Sequence, residues 1–338
     1  MLPKRAWAPE GSGATGEFMI GRTKIVAAVV VVALISGGIL AMNYAQTKNS
    51  HLTGSITITD EQNRTYTFQQ PLTRIVSLDP AATATFYALG AYRDLVGIDQ
   101  YAMYPPNSTL PVVGDFPTMN VEQILNLTPQ AVIAFSDYPQ SEISQLLSAN
   151  ISYIYLNPSN ISQIEQQDTI LGKITGTSAN ATIINRWINA SIGAAAAATS
   201  SIRGSSELSV FYYLSNYGGY WTAGNNTFIN DFFRIAHLRN IANSSGYYTM
   251  PAELIANDSP QSILLDQYVP YSAVNQPPLN ETPAVQNGRV YMIFNDNFFN
   301  EPDFRVVYAI QWLINTEYPG NPVVLPAFPL HLKYAPSP

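Results

Sequence analysis

Two glutamates occupy the same local setting far apart in the chain. Glu122 opens Glu122-Gln-Ile-Leu-Asn-Leu-Thr-Pro129-Gln-Ala-Val-Ile, and Glu253 opens Glu253-Leu-Ile-Ala-Asn-Asp-Ser-Pro260-Gln-Ser-Ile-Leu. Glutamate and proline recur at one separation of 131 positions (122 to 253 and 129 to 260). Asn120 is a good N-cap and Pro251 suits a first helical turn, so each carboxylate is expected near a helix N-terminus. The macrodipole favours an anion there by ~0.3–1 kcal/mol, which could by itself account for both residues.

The second chemical signal is aromatic. Tyr101, Tyr104, Phe116, Phe135 and Tyr138 lie just after apolar strand-like runs of the first half. Tyr217, Tyr220 and Trp221 fall in Asn216-Tyr-Gly-Gly-Tyr-Trp-Thr-Ala-Gly224, and Asn297, Phe298 and Phe299 follow the run ending at Phe294. A cleft lined this way suits a large, flat, partly apolar ligand oriented by a few polar groups. Plain core packing is the competing role for any one of these rings.

Other chemistries find little support. With no cysteine, disulfides, thiol catalysis and Cys-based metal sites are excluded. His51, His237 and His331 are scattered and read as non-ligating, and no metal or resident cofactor is expected. There is no Gly-x-Ser-x-Gly elbow, HExxH or P-loop. Asp79, Asp99, Asp115, Asp296 and Asp303 near the expected rim leave a carboxylate hydrolase as the enzymatic rival, and a surface adhesion protein as the structural one. Gly11-Ser-Gly-Ala-Thr-Gly16 spells a dinucleotide fingerprint, but no strand precedes it. A net charge of −7 without a Lys/Arg cluster speaks against nucleic acid. Charged residues are only 12% of the chain, so few groups change charge as pH falls and acid tolerance is expected.

The elements that must carry these residues follow from apolar runs and their punctuation. Arg74–Leu78, Leu95–Ile98, Ala131–Phe135 and Ile151–Leu156 read as strands. Helices are expected from Pro80, from Asn120, over Gln140–Ala149 and over Asn160–Gly172. The longest helical candidate spans Ser178 to about Ile202, with Gly193 its weak point. The second half repeats the pattern, with strands at Leu208–Leu214, Ser262–Leu265 and Arg289–Phe294 and helices near Phe228–Leu238 and Phe304–Glu317. Strands alternating with helices indicate an α/β fold with mostly parallel sheets. A duplication this far apart indicates two similarly built halves rather than a solenoid.

Residues 25–42 form an uncharged apolar run whose 18 positions would span roughly 27 Å as a helix. Arg22 and Lys24 before it would hold that end in the cytoplasm and leave the rest outside. An uncleaved anchor is expected; a cleaved signal peptide, with Met19 as the true start, is the alternative. Eleven Asn-x-Ser/Thr sequons beyond the run, from Asn63 to Asn280, fit a glycosylated extracellular protein. The expected organisation is 1–24 cytoplasmic, 25–42 transmembrane, 43–54 tether, 55–177 first lobe, 178–203 inter-lobe helix, and 204–338 second lobe and Pro-rich tail.

The order of these features resembles the binding proteins that capture cobalamin and ferric siderophores for ABC importers, from near Ile56 to about Leu332. That resemblance implies two Rossmann-like lobes joined by one long helix, acting as a monomer that is not an enzyme. It implies that Glu122 and Glu253 meet arginines on the permease subunits. It also implies that Tyr104, in Tyr-Pro-Pro, and Phe116, before the Met119-Asn-x-Glu122 motif, touch ligand. A neutral, bulky corrinoid suits the charge-poor rim best, with a ferric hydroxamate close behind. Haem or metal remains the alternative cargo.

Overall fold

The computed structural model describes residues 54–202 and 207–329. The apolar segment 25–42, with the membrane anchor expected on it, lies outside the described residues. Among the described residues no helix is long and apolar enough to cross a membrane.

Ile56–Thr59 (β1) and Thr65–Phe68 (β2) form an antiparallel hairpin ahead of the first sheet. That sheet contains Ile75–Leu78 (β3), Leu95–Asp99 (β4), Val112–Gly114 (β5), Ala131–Ala134 (β6) and Ser152–Tyr155 (β7) in the order β5-β4-β3-β6-β7. All its ladders are parallel. Its helices are Pro80–Ala88 (α1), Val121–Leu127 (α2), Gln140–Ser148 (α3) and Ile161–Ile174 (α4). β3 and β6 are buried at every residue, as expected of parallel strands covered on both faces.

Ser178–Thr199 (α5) follows. Its buried residues, Ala181, Ile184, Trp187, Ile188, Ser191, Ala195 and Thr199, recur every three or four positions and define one face. In the last turn of α4, where α5 packs against it, Gly172 is required: a Cβ there would meet the Ala181 Cβ at 2.7 Å. Gly193 has open space around it, and the helix runs through it. α5 packs on α4 on one side, while the Trp187 ring rests against Phe304, Tyr308 and Phe328 and its Nε1 donates to the Pro326 carbonyl at 2.8 Å.

The second sheet has the order β10-β8-β12-β13, from Leu208–Tyr213 (β8), Leu238–Asn240 (β10), Ser262–Leu265 (β12) and Val290–Met292 (β13), again all parallel. Tyr220–Ala223 (β9) and Tyr247–Met250 (β11) pair antiparallel as a separate ribbon. The helices here are Phe228–Ile235 (α6), Ala252–Asp258 (α7), Pro283–Gln286 (α8), Asp296–Asn300 (α9) and Val306–Glu317 (α10).

The sequence repeat is a repeat of structure. α2 and α7 each have seven residues and end on a left-handed residue, Thr128 at φ 46° and Ser259 at φ 42°. Both then pass through a proline-containing link into the strand beside the first strand of their sheet, β6 beside β3 and β12 beside β8. The glutamine after each proline does one job twice. The Gln130 N–H donates to the Arg74 carbonyl at 2.8 Å and its Oε1 accepts from Thr73 N. The Gln261 N–H donates to the Ser209 carbonyl at 2.9 Å and its Oε1 accepts from Ser209 N. The repeated glutamine thus pins β6 to β3 and β12 to β8. One hydrophobic core runs across both halves, from Ile75 and Phe86 through Ile184 to Phe232 and Ile310.

Candidate functional site

In an open parallel sheet, ligands bind beyond the C-terminal ends of the strands, where the strand order reverses. In the first sheet that point lies between β3 and β6. Asp79, Pro80 and Ala81 follow β3, and Phe135 and Ser136 follow β6. Together with Phe116 and Asn157 they line a cavity of about 370 Å³. Its opposite wall comes from the second half: Phe228 at the start of α6, Tyr247 at the start of β11, Asn300 at the end of α9, and Glu301 and Pro302 after it. The cavity is therefore a cleft between the halves, with aromatic walls and a polar floor.

Asp79 is built into that floor by its own sequence. It caps α1, with Oδ1 accepting from Ala81 N at 2.8 Å and Pro80 at the first helical position. The Ser77 and Thr83 hydroxyls both donate to its backbone carbonyl at 2.9 Å. The residue is 2% exposed, and its Oδ2 has no hydrogen-bond partner. Burial above all, then the nearby Glu301 and Asp303 carboxyls, push its pKa up to about 8 against the Ala82 and Ala81 N–H groups.

Beside it lies a buried ionic cluster. Arg305 is fully enclosed; its Nε lies 2.9 and 2.8 Å from the two Asp303 oxygens, and its Nη2 also bonds Asp303 and Glu301. The guanidinium faces the Tyr104 ring at 4.8 Å and the Phe298 ring at 5.7 Å, so a first-half tyrosine stacks on a second-half cation. Burial raises Glu301 to about 7, despite the Arg305 charge. A second network sits at the end of β12, where the Tyr212 hydroxyl lies 2.8 Å from Asp266 Oδ2 and Asn300 Nδ2 donates to the same oxygen at 2.7 Å. These bonds hold the Asn300 amide at the cleft. Among the described residues no group of His, Asp and Glu side chains could hold a metal ion.

The expected ligand residues divide into three sets. Phe116 and Phe135 line the cleft, with ring centroids 6.0 Å apart, and Tyr104 approaches Arg305 beside it. Tyr101 and Tyr217 are solvent-exposed and line no part of the cleft, and Trp221 and Tyr220 lie on β9. The Tyr220 ring packs on Tyr213 and its hydroxyl donates to the Pro277 carbonyl at 3.1 Å. It is Tyr247 on the neighbouring strand, paired with Ala223, that reaches the cleft.

The remaining set is corrected by the structure: Tyr138, Phe298 and Phe299 are core residues, at 4%, 0% and 0% exposure. The chain after β13 is the helix α9 rather than an open loop. It turns Phe298 onto Phe294 and Tyr308, and Phe299 onto Tyr212, Phe232 and Trp312. Asn297 donates its backbone N–H to the Asn295 side chain in the cap of that helix. Phe228, Tyr247, Asn157, Ser136, Asn300 and Glu301 were not expected. A signal existed for Asp79, in the cap-and-proline pair ending the first apolar strand; none marked Tyr247, whose strand is placed by long-range pairing.

Glu122 and Glu253 stand exposed in the first turns of α2 and α7, away from the cleft, while Ile124 and Ile255 of the same helices are fully buried. The Asn120 side chain caps α2, accepting from Gln123 N at 3.0 Å, whereas Pro251 makes no side-chain cap for α7.

Known proteins place this architecture. The chain is 27% identical over 79% of its length, and 86% of the other's, to the uncharacterized ABC transporter substrate-binding lipoprotein YvrC of Bacillus subtilis (strain 168). It is 27% identical to the cobalamin-binding protein of Halobacterium salinarum (strain ATCC 29341 / DSM 671 / R1), over 86% of this chain and 82% of that one. Among solved structures, the periplasmic heme-binding protein RhuT from Roseiflexus sp. RS-1 in apo form shares the fold with a TM-score of 0.65 and 24% identity, over 73% of this chain and 98% of that one. The model of the periplasmic binding protein family matches residues 75–296, and the chain belongs to that family.

Proposed function

We propose that this protein is the substrate-binding component of an ABC importer, holding a corrinoid in the cleft between its two halves. The observation that carries the reading is the cleft itself: both halves contribute to it, and Phe116, Phe135, Phe228 and Tyr247 surround a neutral-to-acidic polar floor. Aromatic walls favour a flat, bulky molecule, and the Glu301 carboxyl, once ionised, disfavours a polyanion such as a ferric catecholate. The similarity to a cobalamin-binding relative supports the same cargo. At about 370 Å³ the cleft is at the small end of ligand sites, so a macrocycle enters with one edge and leaves its outer rim in solvent.

Haem is the second reading. Tyr247 is the tyrosine lining the cleft, and no histidine is among the described lining residues. The protein would be monomeric and not an enzyme, held at the outer face of the membrane by residues 25–42, with 55–177 and 204–338 as lobes joined by α5. Glu122 and Glu253 would present one anion per lobe to the permease, fixing orientation through complementary charge. Isothermal titration of the full chain in mild detergent with cyanocobalamin, haem and a ferric hydroxamate tests the cargo. Saturable one-to-one binding of cyanocobalamin ahead of the other two is expected, and tighter haem binding would overturn the assignment.

A further inference from the structure

The floor of the cleft holds an acid whose hydrogen-bonding capacity the protein uses only in part. Asp79 is 2% exposed, lines the cleft, and engages one oxygen as the cap of α1. Its other oxygen, Oδ2, has no partner. A buried polar atom left unpaired is costly, so a ligand group that pairs with it gains what the empty cleft forgoes.

We propose that Asp79, resting on the reading of the cleft as a ligand site, binds as a neutral carboxylic acid that donates a hydrogen bond from Oδ2 to a carbonyl oxygen, of the amide type, on the ligand's periphery. The surroundings decide between donor and acceptor. Glu301 and Asp303, from the segment after α9, face Asp79 with like charge, and Arg305 beside them is engaged by both. Tyr138, from the segment after β6, is a nearby hydroxyl that burial keeps protonated, and Asp168 of α4 lies behind, 3.4 Å from Thr85 of α1. Burial, the dominant cause, and those carboxyls hold the proton on Asp79 up to about pH 8. At neutral and acid pH the free oxygen therefore carries a hydrogen and looks for an acceptor. A corrinoid, fringed with primary and secondary amides, offers several. A ligand fringed with carboxylates would be repelled as soon as Glu301 ionised.

The test is calorimetric titration of the full chain in detergent at pH 6 and pH 9, with two amide-bearing probes, cyanocobalamin and a ferric hydroxamate. In the wild type the affinity for the bound probe is expected to fall about tenfold from pH 6 to pH 9, following the protonated fraction. Asp79→Asn keeps the helix cap and a side-chain NH2 donor but never ionises, and should flatten that profile. Asp79→Leu, which has no donor, should bind weakly at both pH values. Equal wild-type affinity at the two pH values, or tighter binding at pH 9 with loss in Asp79→Asn, overturns the donor role and leaves the cargo assignment intact. Binding of the hydroxamate alone with the expected profile overturns the corrinoid assignment and supports the role of Asp79. Silence of both probes at pH 6 overturns both.

Discussion

The Asp79 carboxyl should make this fold less stable as pH rises, and the effect is large enough to isolate without any ligand. Its pKa is about 8 in the folded chain against an ordinary value of 3.8. Between those limits the native state holds a proton that the unfolded state releases. The contribution to stability is therefore full below 3.8, declines as pH rises, and stops declining above about 8. One proton of difference is worth about 1.36 kcal/mol per pH unit, so moving from pH 5 to pH 7 removes up to about 2.7 kcal/mol through this residue. Glu301, raised to about 7, and Asp168, raised by burial, act in the same direction, so the slope of the whole protein is steeper. Asp79→Asn should remove one proton's worth of that slope and no more, because asparagine caps a helix about as well as aspartate. Urea unfolding followed by circular dichroism at pH 5, 6 and 7 reads this directly. The wild-type midpoint should drop with pH by about 1 M more than the variant's, taking a dependence of about 3 kcal/mol per M, the upper end of the usual range, for a chain of this size. If wild type and variant respond identically to pH, Asp79 is ionised in the folded chain and the reasoning about the cleft floor fails.

Three further outcomes follow from other parts of the structure. A Cβ at Gly224 would sit 2.0 Å from the Ser244 carbonyl oxygen, so Gly224→Ala must shift backbone between α6 and β11 and should cost about 1–3 kcal/mol in thermal or urea unfolding. Phe135→Ala should weaken ligand binding by about tenfold in the titration above, since a stacked ring contributes about 0.5–1.5 kcal/mol beyond its buried area. Glu122→Arg with Glu253→Arg should abolish uptake by cells while leaving the calorimetric affinity for ligand unchanged; preserved uptake would show that these anions do no more than complement their helix dipoles.

The framework was legible where local chemistry and long-range structure agree. β3 and β6 are short apolar runs that need burial on both faces, and the Asp79-Pro80 pair announces the helix after β3. The Glu-to-Gln repeat pointed to duplication, and Gln130 and Gln261 supply its physical reason as matching ties between paired strands. The aromatic rim was less legible. An aromatic ring after a strand can face a cleft or a core, and only the path of the following chain decides which. At Phe116 and Phe135 the chain leaves the rings at the opening; at Phe298 and Phe299 the helix α9 turns them inward. Tyr247 was hidden because β9 and β11 pair across more than twenty residues, and three-residue strands such as Leu238–Asn240 carry no period to read. Arg305 is the centre of a buried network that joins Tyr104 to Asp303 and Glu301, a role that depends on long-range placement and that no local spacing marks. Acid tolerance, expected from the scarcity of charge, gains a second physical basis in the raised carboxyls of Asp79, Asp168, Asp296 and Glu301.

A flat ligand held between the two halves, at the ends of β3 and β6, is what would bring the aromatic walls and Asp79 to bear together. A crystal structure of the protein with cyanocobalamin measures this most directly. The corrin edge is expected between Phe116 and Phe135 on one side and Phe228 and Tyr247 on the other, with a peripheral amide carbonyl within about 3 Å of Asp79 Oδ2. A corrin seated on the exposed surface around Tyr217 and Trp221, with the cleft unaltered, would contradict it.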